Sequence, residues 1–292
     1  MRILIIANAD KPRVRPALDQ MLPWLRQRVE VVGVDTDDET DMSRLQADAI
    51  LVLGGDGTLL SAARRLHGRQ IPLLGVNFGR LGFLAGFTPA QFEKHFDDFV
   101  QGKLPISPRR ALQTSVVPTD CHISADDGEA VVAHRRFVST ALNDAVVTAG
   151  PPFHMIELHI TVGGDGGIRY FGDGVIVSTA SGSTAYNVSA GGPIISPTVD
   201  AFCITPICPQ SLSFRSVVIS GDSRICINAS KLNAGTTLFC DGQDSTALHV
   251  GERIIIRRSK EPVLLIENPD TREWRTLAEK LNWAAGPAHT GG

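Results

Sequence analysis

The sequence predicts an α/β amino-terminal domain with a parallel sheet, followed by an antiparallel, all-β carboxyl-terminal domain. Three observations carry this. Apolar runs alternate with helix-compatible stretches over roughly the first hundred residues. From Ala111 to about Ile266 the apolar period is mostly two, punctuated by glycine turns, as antiparallel strands require. From Thr271 to Trp283 a helical period returns, with Trp274, Leu277 and Leu281 on one face. The expected divisions are 1–108 for the α/β domain, 109–268 for the all-β domain, and 269–285 for a helix returning to the first domain.

In chain order, Arg2 to Ala7 reads as a strand and Val14 to Arg28 as a helix that Pro23 should kink or interrupt. Val29 to Val34 reads as a second strand, followed by a solvated acidic loop from Asp35 to Asp41. The strand Ala49–Leu53, a glycine turn, a helix from Leu59, the strand Ile71–Val76 and a helix near Pro89–Gln101 complete the alternation. The texture changes near Pro105-Ile106-Ser107-Pro108. Period-two runs then include Leu112–Val117, Met155–Ile160 and Arg253–Arg257, with a turn at Gly163-Gly164-Asp165-Gly166-Gly167. The tail Gly286–Gly292 reads as disordered.

Composition narrows the function classes. The 292 residues are 43% hydrophobic and 20% charged, the balance of a soluble globular protein with a sizeable core. A net charge of −3 supplies no basic footprint for nucleic acid and no attraction to anionic membranes. No window approaches a transmembrane span. The opening apolar run is too short for a signal segment and is followed at once by polar residues. Five cysteines (Cys121, Cys203, Cys208, Cys226, Cys240) form no C-x-x-C pair, so reduced thiols and a cytoplasmic location are expected.

The chemistry concentrates in a few segments. Gly54-Gly55-Asp56-Gly57-Thr58 lies between a buried strand and a helix, where open α/β sheets keep their ligand crevice. Glycines let the backbone approach a phosphate, and free N–H groups opening the helix favour an anion. A carboxylate in such a cradle repels phosphate unless it holds a cation or takes a proton, so the turn reads as a phosphoryl-transfer site. The plainer alternative is a tight turn whose Asp56 caps the helix.

Three further segments are rich in small or polar residues. Asn77 to Leu84 follows a strand at the same sheet edge as Asp56, or is simply a bend needing two glycines. Asn143-Asp144 begins a strand and can read sugar hydroxyls or an adenine edge, although such a pair is also ordinary turn chemistry. Gly172 to Pro193 runs from a strand into a hydroxyl-dense turn, and this many hydroxyls together suggest that a polar ligand partners some of them. G-x-x-x-x-G-K-[ST], a strand-borne G-x-G-x-x-G, G-x-S-x-G and H-E-x-x-H are all absent.

Together GGDGT at 54–58, N-x-G-x-L-G-F-L at 77–84, Asn143-Asp144, GDGVIVSTASGSTAYNVSAGGP at 172–193, TPICPQSLSFR at 205–215 and Asp241-Gly242-Gln243 resemble the NAD kinases, in order and over nearly the whole chain. GGDGT is shared with diacylglycerol, sphingosine and phosphofructokinase-like kinases; GSTAY followed by TPICP is far more specific. The resemblance implies transfer of phosphate from ATP, or another donor, with Mg²⁺ or another divalent cation, to the adenosine-ribose 2′-hydroxyl of NAD. It implies an α/β first domain with an all-β, sandwich-like second domain, and a homodimer or homotetramer, with sites often completed by a neighbouring subunit.

By position, Asp56 is the implied proton acceptor and Gly57 lies beside the substrate. Asn143 and Asp144 match the family's Asn-Glu pair, with Asp144 one methylene shorter. Asp173, Thr184, Ala185, Tyr186 and Ser189 match its NAD-binding stretch, with Asn187 and Val188 inside it. His154 and Gln243 match further contacts. Phe171 stands where some members carry arginine, which bears on NAD versus NADH preference. No residue is assigned to the metal. A lipid kinase would need an apolar or basic membrane face, and a sugar-phosphate kinase clustered arginines near the motif. A noncatalytic dinucleotide-binding regulator would tolerate loss of Asp56.

Overall fold

Five consecutive apolar positions, Ile3 to Ala7, make Arg2–Ala7 (β1) a strand buried on both faces, as the middle of a parallel sheet requires. The computed structural model describes residues 1–9, 11–79, 82–118, 134–164, 166–271 and 273–281. The readings of Arg80, Leu81, Cys121, Asp165, Trp283, the tail 286–292 and the Trp274 side chain fall outside them. The chain forms two compact units: Met1–Ala62 with Ile71–Ser107 and Leu264–Gly292, and Ala63–Gln70 with Pro108–Val263.

In the first unit β1 pairs in parallel with β2 (Glu30–Asp35) and β3 (Ala49–Leu53), and β3 pairs with β4 (Leu73–Val76). With β5 (Ile106–Arg109) and β18 (Val263–Ile266) the sheet order is β2-β1-β3-β4-β18-β5. The last strand is a difference from the sequence reading, which ran the all-β region through residue 268. Leu265 instead pairs in parallel with Leu73. An all-apolar tetrapeptide fits a sheet buried on both faces better than an alternating one.

Helix α1 (Val14–Arg26) runs on through Pro23, against the expected break. Its buried face of Val14, Leu18, Met21 and Leu25 packs into the core with Ile3, Ile5, Leu51 and Leu53. Burying a side chain of this size contributes about 1.5–3 kcal/mol, so the whole face outweighs the ~3 kcal/mol proline cost. The helix expected near 89–101 is two: α3 (Pro89–Lys94), opened by a Thr88–Gln91 capping box, and α4 (Phe96–Val100). Phe92, Phe96 and Phe99 form an aromatic cluster with Trp24.

The second unit holds two antiparallel six-stranded sheets. One, in order β10-β9-β14-β17-β6-β7, comprises Ile168–Gly172, Ile156–Val162, Ile225–Lys231, Arg253–Arg258, Leu112–Val117 and Phe137–Ala141. The other, in order β13-β12-β11-β8-β15-β16, comprises Val217–Ser220, Ala201–Ile207, Gly174–Thr179, Asp144–Thr148, Thr237–Cys240 and Asp244–Ala247. Leu112, Leu158, Ile227 and Ile254 of the first meet Val147, Val175, Phe202 and Leu238 of the second in one core, which makes the pair a sandwich. Among the described residues no helix is long and apolar enough to cross a membrane.

Candidate active site

Strand β3 ends at Leu53, Gly54-Gly55 turn the chain, and α2 (Asp56–Arg65) begins at Asp56. The Asp56 carboxylate does not turn back to cap its own helix. It crosses to the segment after β4, where Oδ2 accepts from Phe83 N–H at 2.8 Å and Oδ1 from Leu84 and Ala85 N–H at 3.1 and 2.9 Å. That segment is a closed loop: Asn77 N–H donates to the Phe87 carbonyl and Phe87 N–H to the Gly75 carbonyl. Three successive N–H groups aimed at one anion hold the carboxylate's direction. A carboxylate has about four lone-pair directions, so one on Oδ2 is left for an incoming hydroxyl.

The last described helix, α5 (Glu273–Leu281), adds a residue the sequence reading did not single out. The Lys280 ammonium stands 4.7 Å from the Phe83 ring centroid. Burial lowers the Lys280 pKa from its ordinary value, and the Asp56 charge works against that lowering. A cation thus accompanies the carboxylate within the first unit. Beside them a pocket of about 360 Å³ is lined by Lys11, Arg13, Gly54, Gly55, Asn77 and Gly79, among others. It lies at the carboxyl ends of β3 and β4. Two cationic side chains and a glycine turn make it suited to phosphate.

In the second unit, strand pairing places Asp144 opposite Ser178 and draws the turn after β11 against Asn143. Thr179 N–H donates to the Asn143 carbonyl at 2.9 Å, and the Thr179 hydroxyl donates to the Leu142 carbonyl at 2.6 Å. A Cβ at Gly182 would sit 2.0 Å from the Asn143 carbonyl oxygen, so only glycine fits there. The hairpin between β15 and β16 closes the group. Asp241 accepts from the N–H groups of Leu142, Asn143 and Asp144, and Arg64 Nη1 donates to Gln243 Oε1 at 3.0 Å. Thr184, Ala185 and Val188 are half-buried, while Tyr186 and Ser189 are exposed. Asn143, Asp144, the 179–189 turn, Gln243 and Arg64 therefore gather at one end of the second sheet.

His154, Phe171 and Asp173 do not join them. Asp173 N–H donates to the Ile207 carbonyl and its carbonyl accepts from Ala149 N–H, at the far end of β8 from Asp144. Five residues of strand separate the two ends by about 16 Å. His154 is exposed, with its carbonyl held by Asn233 Nδ2, and the Arg169 guanidinium lies over Phe171.

The Asn187 side chain is fully buried, its amide donating to the Ser183 and Pro193 carbonyls while its oxygen accepts the Thr205 hydroxyl. The hydroxyls of Thr179 and Ser183 find partners inside the fold and shape the turn, whereas the buried Ser178 Oγ has none among the described residues.

Among the described residues no group of three or more His, Cys, Asp or Glu side chains gathers to hold a metal ion. Sequence reasoning quoted Asp241 within Asp-Gly-Gln but gave a role only to Gln243, and it passed over Arg64. A signal for Asp241 was present in Asp-Gly-Gln, the same Asp-Gly step that follows β3.

Two family models match the chain: the ATP-NAD kinase N-terminal domain over residues 13–104 and the ATP-NAD kinase C-terminal domain over 142–268. A protein named NAD kinase from Rhodopirellula baltica is 34% identical, covering 97% of this chain and 87% of its own. One from Cellvibrio japonicus is 35% identical, covering 96% and 95%. Among solved structures, an NAD kinase from Archaeoglobus fulgidus in complex with ATP superposes with a TM-score of 0.73 at 27% identity, covering 97% and 99%. Yeast NADH kinase complexed with NADH gives 0.86 at 24% identity, covering 100% and 90%, a likeness of fold.

Proposed function

The chain belongs to the NAD kinase family, and on that premise we propose that it phosphorylates the 2′-hydroxyl of the adenosine ribose of NAD with ATP, or another phosphate donor, to make NADP. The hydroxyl oxygen forms a bond to the terminal phosphorus, the bond from that phosphorus to the leaving oxygen of the donor breaks, and Asp56 takes the hydroxyl proton. The observation that supports this reading most is the Asp56 carboxylate, aimed by three N–H groups and left with one acceptor direction. A base so placed contributes typically ~10²–10⁴-fold to a rate.

Lys11 and Arg13 are suited to the donor phosphates, and Lys280 balances charge near Asp56. A divalent cation fits this arrangement without a protein cage, because Mg²⁺ is commonly held by substrate phosphates, water and one or two carboxylates. When bound, it would neutralise charge on the transferred group. Asn143, Asp144 and the 184–186 turn would read the nucleoside.

In a homodimer or homotetramer, His154, Phe171 and Asp173 would serve the substrate of a neighbouring copy. A cytoplasmic enzyme fits a substrate of this kind. The test is incubation of the purified chain with NAD, ATP and Mg²⁺ and separation of the nucleotides. NADP is expected; unchanged NAD, with ATP consumed on diacylglycerol or fructose 6-phosphate, would reject the reading.

A further inference from the structure

Asp241 opens the turn between β15 and β16 with φ of 53°, a left-handed conformation that Asp tolerates better than most residues. From there Oδ2 accepts from Leu142 N–H at 2.9 Å, and Oδ1 from Asn143 and Asp144 N–H at 2.7 and 3.2 Å. Its own N–H donates to the Asp144 carbonyl at 2.9 Å. The turn and the start of β8 are thus fastened by four hydrogen bonds. Asp144, 5% exposed, places a second carboxyl in the same buried corner.

The charges around the pair are unequal. Burial pushes the Asp241 carboxyl above its ordinary value, while three N–H groups and the Arg64 guanidinium work against that rise and favour its ionised form. For Asp144 burial and the Asp241 charge act together, pushing its carboxyl up to about 7. Within the second unit, β15 brings the Cys240 thiol, pushed up to about 12 by burial and therefore neutral. Strand β16 brings Asp244, which adds no positive charge, and β11 brings only the hydroxyls of Ser178 and Thr179. Two adjacent buried carboxyls cannot both ionise cheaply, so the pair holds one proton.

We propose that Asp241 is a positioning residue for the substrate pair: its carboxylate sets the backbone of Leu142 to Asp144, and its charge keeps Asp144 a neutral acid that meets NAD as a hydrogen-bond donor. The proposal rests on the reading that Asn143 and Asp144 contact NAD, and it deepens that reading by assigning the protonation state. A carboxylate would offer the nucleoside only acceptors; the acid offers a donor to a ribose oxygen or a ring nitrogen.

The test is NAD binding to the full chain by calorimetry, without phosphate donor, at pH 6 and pH 8. The protonated fraction of a group titrating near 7 falls about tenfold over that interval, so NAD should bind about tenfold more weakly at pH 8. In Asp241→Asn the charge that holds the proton is gone, and the ratio between the two pH values should shrink. Should that variant fail to fold, Asp144→Asn carries the same readout, since an amide does not titrate and the ratio should fall to about one. A parent ratio near one, tighter binding at pH 8, or a ratio unchanged in both variants overturns the proposal while leaving the function intact. No NAD binding at any pH overturns the functional reading with it.

Discussion

Gly82 and Asp56 compete for one space: a Cβ on Gly82 would fall 1.7 Å from Asp56 Oδ1. The carboxylate and the loop it fastens therefore fit only while residue 82 has no side chain. Gly82→Ala should push the carboxylate off its N–H groups and cost about 10²-fold or more in turnover, the order of general-base assistance. Circular dichroism of the variant should stay close to the parent's, because the sheet beneath the loop is untouched. Parent-like NADP formation by Gly82→Ala would show that the Asp56 geometry does not matter.

Lys11 lines the pocket beside Gly54 and Gly55, with its ammonium near the turn. Removing one phosphate-facing cation costs about 1.5–3 kcal/mol where it hydrogen-bonds a charged group, or roughly tenfold to a hundredfold in affinity. Lys11→Ala should therefore raise the KM for ATP by at least about tenfold while NAD affinity, measured alone, stays near the parent's. A change confined to NAD binding would place the donor elsewhere.

Asn187 offers a test of structure against recognition. Its three hydrogen bonds lie inside the fold, so Asn187→Ala leaves buried carbonyls and a hydroxyl without partners, at about 1–3 kcal/mol each. The melting temperature should fall by several degrees. An unchanged melting temperature with weakened NAD binding would give Asn187 a ligand role instead.

Strand and helix alternation, the period-two region and the glycine turn before Asp56 were legible because each depends on neighbours a few residues away. What escaped depends on residues far apart in sequence. Nothing local to Asp56 announces that Phe83, Leu84 and Ala85 will donate to it, nor that Lys280 will stand over Phe83. The same holds for Asp241, nearly a hundred residues from the N–H groups it binds. The burial of Asn187 was not legible either, because a polar residue in a polar run looks alike whether it faces solvent or its own turn. Pro23 misled because local cost was weighed without the buried face that overrides it.

Asp144 carries a pH prediction for stability. Its carboxyl titrates near 7 in the folded chain, above the ordinary carboxylate range, because burial and the Asp241 charge disfavour ionisation. The folded state therefore holds a proton that the unfolded chain has released between about pH 4 and pH 7. Stability from this group is full below that window and is lost as pH rises through it. Asp144→Asn removes the loss, so the variant should gain on the parent by at least about 1 kcal/mol at pH 8 relative to pH 5. Urea unfolding at both pH values checks this; an equal gap at both would place the proton elsewhere.

The central claim is that Asp56 accepts the ribose proton, and Asp56→Asn tests it most directly. An amide in its place keeps the size but cannot usefully take the proton, and it sets one N–H₂ against a backbone N–H. Turnover of NAD to NADP should be followed across a magnesium series, with NAD binding measured by calorimetry on the same protein. The account predicts a fall in turnover of about 10²-fold or more at every magnesium concentration, with NAD affinity little changed. Turnover near the parent's would contradict it, and recovery at high magnesium would make Asp56 a residue that positions the metal rather than the base.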